Sequence, residues 1–205
     1  MIDSDVGNEF SQIIDNFLPE EQFNNLYDIM MTPGKMTWNY NDVIDYEGST
    51  EDKYQLTHTF FDSPQGIVSH ISEIVQPFID LLKIQILIRI KANLNVRCGE
   101  NDRENKFHCD HEFVGSRLPD GTLTSYTAIY YVNTNNGYTL FKDGNFKVDS
   151  VANRIVIFDS SKLHKAVVCT DEKTRVVINF NYFTFEYGSI DQYQESLKLF
   201  NEANA

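Results

Sequence analysis

Basic residues are scarce in this chain: 17 lysines and arginines stand against 30 aspartates and glutamates in 205 residues, a formal net charge of −13. That balance repels phosphate backbones and anionic lipid, and it counts against a nucleic-acid or membrane-surface role. Long apolar runs are also missing, and none approaches the roughly 20 residues that a membrane-spanning helix requires. The opening segment, MIDSDVGNEF, is acidic where a secretory signal needs basic residues, and no apolar stretch follows it. Cysteine is limited to Cys98, Cys109 and Cys169 with no C-x-x-C pair, which points to reduced thiols rather than disulfides or a thiolate metal site. No repeat, low-complexity tract or Pro/Gly/Ser linker divides the sequence. These absences predict a cytoplasmic protein of one domain, residues 1–205, and specify no oligomeric state.

Aromatic residues are plentiful, with 15 Phe and 11 Tyr, which suits a β-rich globular core. The first part, to about residue 83, reads as helical support. Phe10, Ile13, Ile14 and Phe17 recur at helical spacing, and Pro19 opens a second helix carrying Phe23, Leu26, Ile29 and Met30. Residues 34–62 are irregular. Ser63-Pro64 reads as a helix start for the stripe Ile67, Ile71, Ile74/Val75 and Phe78, with Pro77 kinking it or opening a new segment.

After residue 83 the period becomes two: Ile84, Ile86, Ile88, Ile90, Ala92, Leu94 and Val96 alternate with mostly polar residues, as in a long strand. Further strands are predicted at 124–133, 138–142, 154–158, 164–169 and 174–185, with turns at Asn135-Asn136-Gly137 and Asp143-Gly144. A last amphipathic segment, 190–203, reads as a helix. Helices followed by many antiparallel strands predict an α+β domain, a double-sheet barrel or jelly roll over about 84–185 buttressed by helices.

Two histidines and a carboxylate carry the chemistry. His108-Cys109-Asp110 places an imidazole and a carboxylate at i and i+2, on one face of extended backbone. His164 follows 56 residues later, at the start of another strand. Such a set occupies one face of an octahedral metal and leaves three positions open. A structural zinc site would need a fourth protein ligand, and none is evident. Arg175 lies eleven residues beyond His164 on the next strand, sharing a face with Val177, Asn179 and Asn181. An arginine fork is suited to hold a carboxylate in two hydrogen bonds. Of the other histidines, His111 would alternate away from the ligands, His70 fits a surface or packing role, and His58 a structural one.

In order, His108-x-Asp110, Thr127-Ala-Ile-Tyr-Tyr-Val-Asn133, Asn136-Gly137-Tyr138-Thr139, His164 and Arg175 resemble the motifs of the Fe(II)/2-oxoglutarate-dependent oxygenases, particularly the prolyl 4-hydroxylase-like branch. The resemblance covers about residues 84–185 and implies a double-stranded β-helix. It implies Fe(II) held by His108, Asp110 and His164, with Arg175 anchoring the distal carboxylate of 2-oxoglutarate and the Tyr131 hydroxyl supporting it. Thr139 and Asn179 match positions that line the cosubstrate pocket. Two departures stand out. The usual double glycine is Asn136-Gly137, and the strand before His-x-Asp offers Asn93 and Asn95 where the family has a tyrosine, which leaves that contact unassigned with Asn93 as its candidate. The implied activity consumes 2-oxoglutarate and dioxygen, with ascorbate as an accessory reductant, and releases succinate and CO2 while hydroxylating a peptidyl residue or small molecule. Asp110 favours hydroxylation, because halogenating relatives lack the carboxylate. The competing readings are a non-catalytic β-helix protein and a cupin-like metal protein that needs no cosubstrate. The polar segments 99–106 and 115–121, with residues around Trp38, are candidate mouth loops.

Overall fold

The computed structural model describes residues 11–42, 54–100, 104–110 and 124–184. Its strands are β1 (Ser11–Ile14), β2 (Asn39–Asn41), β3 (Gln55–Asp62), β4 (Gly66–Ile67), β5 (Ile86–Val96), β6 (Thr124–Tyr131), β7 (Tyr138–Phe141), β8 (Lys147–Asp149), β9 (Arg154–Asp159), β10 (His164–Val167) and β11 (Thr174–Thr184). Helices α1 (Glu20–Met31) and α2 (Gln76–Leu81) complete it, with a 3-10 turn at Ser72–Val75 leading into α2. The large sheet runs β1-β9-β6-β11-β5-β3-β2, with β4 paired to β3, and the small one runs β10-β7-β8. All pairings are antiparallel. Bridges from Glu104 to Val167 and from His108 to His164 lay residues 104–108 along the free edge of β10. This is the expected double-stranded β-helix.

Strand alternation splits the core in two. From β11, Val176, Ile178, Phe180 and Tyr182 face outward and pack with Leu26 and Met30 of α1, Phe78 and Leu81 of α2, and Ile90 and Tyr130. Phe78 is the centre of this layer, stacked on Phe17 and Phe180 and edge-on to Tyr130. The opposite residues face the barrel interior, where Ile129, Tyr131, Phe141, Val148, Val156, Phe158 and Val177 form a smaller core. That core comes mainly from β6 to β9, while the interior faces of β5 and β11 carry Arg89, Lys91, Asn93, Asn179 and Arg175 and are mostly polar.

Six of the seven strands after residue 83 match expectation within two residues, and the short β8 is unexpected. The N-terminal part is corrected in three places. The helix expected over Phe10–Phe17 is strand β1 where described, paired to β9 with Ser11 opposite Phe158 and Ile14 opposite Ile155. The chain then turns at Asn16 in the left-handed region, φ 52°. Asn153 clasps the next two residues, its side chain accepting from the Leu18 N–H and donating to the Leu18 carbonyl. Phe17 is thereby driven into the core for tertiary reasons that helical spacing does not express. Second, Ser63-Pro64 starts no helix. It turns β3 into β4, where Ile67 pairs with Phe61 and is 71% exposed. Third, β2 and β3 lie in a stretch without clear periodicity. Pro19 and Pro77 do open α1 and α2. The predicted helix 190–203, His111 and the segment 115–121 lie outside the described residues. Among those described, no helix is long and apolar enough to cross a membrane.

Candidate metal centre and adjoining pocket

The two histidines meet because their backbones pair. His108 N–H donates to the His164 carbonyl at 2.9 Å and His164 N–H donates back at 3.0 Å. This narrow antiparallel pair sets the imidazoles side by side, ring centroids 4.8 Å apart. Each Nδ1 lies against the carbonyl two residues earlier, Lys106 O at 3.1 Å and Lys162 O at 3.0 Å. A carbonyl can only accept, so Nδ1 carries the proton and Nε2 keeps its lone pair for a metal. Asp110 Oδ1 lies 3.7 Å from His108 Nε2 and 3.9 Å from His164 Nε2. One ligand atom from each residue falls within 4.8 Å of the other two. Metal bonds of about 2.0–2.2 Å need only a small contraction of that triangle.

The second Asp110 oxygen accepts from Asn181 Nδ2 at 3.0 Å, and Arg89 Nε donates to Asn181 Oδ1 at 3.2 Å. Burial works against the Asp110 anion. The charges of His164, His108 and Arg89 and the Asn181 hydrogen bond outweigh it, lowering its pKa to about 2. At neutral pH burial keeps the His164 imidazole neutral, its pKa being lowered mainly by desolvation. A carboxylate lowered from 3.8 to about 2 stabilises the fold above its unfolded pKa and loses that contribution as pH falls through the folded one. In the metal-free protein this amounts to about 2 kcal/mol, most of it gone by about pH 2. Urea unfolding should therefore show the stability difference between wild type and Asp110→Asn shrinking by that amount from about pH 6 to about pH 2. A constant difference would contradict it.

Arg175 stands at the far end of the same interior face and is 2% exposed. Its Nε donates to Ser150 Oγ at 3.0 Å and an NH2 nitrogen to Thr139 Oγ1 at 3.2 Å. Tyr131 donates its hydroxyl to Thr139 Oγ1 at 2.8 Å, and the guanidinium carbon lies 5.6 Å from the Tyr131 ring centroid. Burial raises the Tyr131 pKa to about 12 against the pull of Arg175, so its hydroxyl stays protonated and can donate. Among the described residues no carboxylate pairs with Arg175. A buried cation without a counter-ion is costly unless an anion arrives from outside the protein.

Between triad and arginine lies a cavity of about 170 Å³, walled by Gln55, Asn93, Asn179, Ile129, Val177 and Thr139 among others. The side-chain oxygens of Asn93, Asn105 and Asn179 are buried there without a hydrogen-bond partner. Such carboxamides can turn to present either oxygen or N–H2 to a ligand. Gly137 leaves no room for even a methyl group. A Cβ there would lie 2.8 Å from Arg175 Cδ, 2.8 Å from Val167 O and 2.7 Å from Asn135 Oδ1. Gly137→Ala should cost about 1–3 kcal/mol and push Arg175 out of line. A melting curve beside a ligand titration would show both effects, and an unchanged Tm would refute the close-packing account.

Of the sequence-predicted residues, His108, Asp110, His164, Arg175, Thr139, Asn179 and Asn93 line this one cavity, and Tyr131 stands behind it, joined to Thr139 by its hydroxyl. His58 does not: its nitrogens meet Thr37 O at 2.7 Å and Ser69 Oγ at 2.8 Å. His70 is exposed. Sequence reasoning missed Ser150, and it missed Arg89 and Lys91, which line the cavity from β5. Their signal was the polar face of that strand, which reads as solvent-facing until β3 and β11 are known to flank it.

No protein-family model and no curated protein matches the sequence. Solved structures do match the fold. A prolyl hydroxylase from Trichoplax adhaerens, in complex with a hypoxia-inducible-factor oxygen-degradation-domain peptide, superposes with a TM-score of 0.55 at 16% identity, over 84% of this chain and 83% of that one. A 2OG-Fe(II) oxygenase family oxidoreductase from Burkholderia pseudomallei gives 0.56 at 8% identity, over 84% of each chain. The fold is that of the 2-oxoglutarate/Fe(II) oxygenases. The α-ketoglutarate-dependent epimerase SnoN of nogalamycin biosynthesis shares this oxygenase fold, at a TM-score of 0.55 and 11% identity over 89% of this chain and 83% of that one.

Proposed function

We propose that the chain is an Fe(II)- and 2-oxoglutarate-dependent dioxygenase that hydroxylates a peptidyl residue or a small molecule, releasing succinate and CO2. The observation that carries this reading is the pairing of a two-histidine, one-carboxylate cluster with a buried arginine that has no carboxylate partner among the described residues, at opposite ends of one cavity. The donor set fits Fe(II), which accepts two imidazoles and a carboxylate on one face and keeps the remaining positions open. The arginine end fits the distal carboxylate of 2-oxoglutarate, with Tyr131 and Thr139 beside it and Ile129 and Val177 as apolar walls. When bound, iron and 2-oxoglutarate together supply an oxidant able to attack an unactivated C–H bond.

The chain's own residues do the positioning. Lys106 O and Lys162 O hold the imidazole tautomers, Asn181 fixes the Asp110 carboxylate, and Ser150 and Thr139 hold the guanidinium. His164 is wedged edge-on against Phe158, which restricts its ring. Preorganisation of this kind is the protein's part in cofactor chemistry.

The test is an anaerobic titration with Fe(II) and then 2-oxoglutarate, followed by visible absorption. A weak metal-to-cosubstrate charge-transfer band supports the reading. It is pursued by succinate release in air, with and without ascorbate. Iron binding without the band would favour a cupin-like protein that needs no cosubstrate, and well-folded protein that binds no iron would end the oxygenase reading.

A further inference from the structure

The cavity holds more positive charge than iron and 2-oxoglutarate account for. Its walls carry Arg89, Lys91 and Arg175 against a single carboxylate, Asp110, in a chain whose net charge is −13. On the reading above, the two charges of iron, one of Asp110, two of 2-oxoglutarate and one of Arg175 sum to zero. Arg89 and Lys91 remain, one positive charge more than can be offset by Asp62, which stands in register with Arg89 on β3 and does not line the cavity.

Their place in the barrel separates them from Arg175. Along β5 and β11 the interior-facing rungs run Arg89 beside Asn181, Lys91 beside Asn179, Asn93 beside Val177 and Asn95 beside Arg175. Asn181 touches Asp110, so Arg89 stands at the metal end. Six residues of strand, about 20 Å at roughly 3.3 Å each, divide that rung from the rung of Arg175. Lys91 is the next residue on the same face. Neither side chain forms an ion pair with a described carboxylate, and Asp62 and Asp110 act on Lys91 only as background charges. Burial and Arg89 both disfavour the Lys91 charge, which a bound anion would restore. The neighbouring Asn93 and Asn179 amides add unspent hydrogen-bonding capacity.

We propose that Arg89 and Lys91 form an anion subsite at the metal end of the cavity, and that the substrate is a small carboxylic acid held there by its carboxylate. The subsite lies on the same interior face as the cosubstrate arginine but several rungs nearer the metal ligands, so it would hold the reacting molecule at the triad end of the cavity. A cavity of about 170 Å³ that must also admit the cosubstrate favours a small acid over a folded protein surface. Lysine and arginine together suit a planar carboxylate, the arginine by its fork and the lysine as a point charge.

This inference rests on the 2-oxoglutarate reading, and its test keeps the two apart. Protein loaded anaerobically with Fe(II) and 2-oxoglutarate is titrated calorimetrically with a panel of L-amino acids and small hydroxy acids. Each acid is paired with its primary amide, and a set of small phosphate monoesters is added. At least one acid should bind about tenfold or more tightly than its amide, the size expected of a charge-assisted hydrogen bond. Lys91→Met should abolish that preference, Lys91→Arg should restore most of it, and the charge-transfer band should persist in both. Indifference between acids and amides would overturn the proposal, as would a preference for phosphate esters. An acid preference unchanged in Lys91→Met, with the band weakened instead, would assign Lys91 to the cosubstrate and overturn it too. If wild type shows no band, the oxygenase reading fails by itself. The panel is then run on the metal-free protein, where a Lys91-dependent acid preference still upholds the subsite and its absence removes it.

Discussion

Replacing Arg175 with methionine should raise the dissociation constant for 2-oxoglutarate by about 100- to 1,000-fold while leaving Fe(II) binding within a few fold of wild type. The magnitude follows from the 2–5 kcal/mol, roughly, that is lost when one partner of a buried, hydrogen-bonded charge pair is truncated. The guanidinium is 2% exposed and already aimed by Ser150 and Thr139, so its ligand would find it desolvated and ordered. Lysine should rescue only in part. It keeps the charge but lacks the fork, and it cannot reach Ser150 and Thr139 together. The metal-free protein supplies the discriminating control. If Arg175 is retained for a ligand, Arg175→Met removes an uncompensated buried charge, and urea unfolding should find the variant as stable as wild type or more so. A large loss of stability with unchanged 2-oxoglutarate affinity would make Arg175 a structural residue and remove the main support for a cosubstrate.

Much of this site is legible in the sequence, and the reason is geometric. The interior of a β-barrel is reached by every second residue of a strand, so Arg175, Val177, Asn179 and Asn181 announce a shared face from spacing alone. His108 and Asp110 do the same. What periodicity cannot report is which second strand lies opposite. The His108–His164 backbone pair joins segments 56 residues apart, and only the order of motifs points to it. The same limit hides Arg89 and Lys91. A polar face on β5 looks like a wet surface until β11 and β3 are seen on either side of it. In the N-terminal part the error runs the other way. Ile13, Ile14 and Phe17 satisfy a helical pattern, but the exposed edge of β9 and the Asn153 clasp offer that segment better hydrogen bonds than a short, isolated helix would make.

The choice of histidine is the second large effect, and it separates three residues that composition treats alike. His164→Ala should weaken Fe(II) binding by more than about 100-fold, beyond the roughly 10- to 100-fold typical of losing an outer hydrogen-bond partner. Two donors would remain, His108 and Asp110, and neither described neighbour can replace the third: Phe158 and Phe141 flank the vacated ring, and both are apolar. His58→Ala should behave in the opposite sense. Its imidazole bridges Thr37 O and Ser69 Oγ while packing edge-on to Phe60, so removal leaves buried polar groups unpaired and costs about 1–3 kcal/mol of stability. Iron affinity, measured on the fraction that remains folded, should not change. His70 is exposed, and His70→Ala should alter neither quantity. The informative readout is the pair of numbers for each variant, iron dissociation constant and unfolding free energy, because a ligand moves the first and a packing residue the second. Iron binding that survives His164→Ala but is lost in His58→Ala would mean that the centre is built elsewhere, and the cavity between His164 and Arg175 would then have no metal to serve.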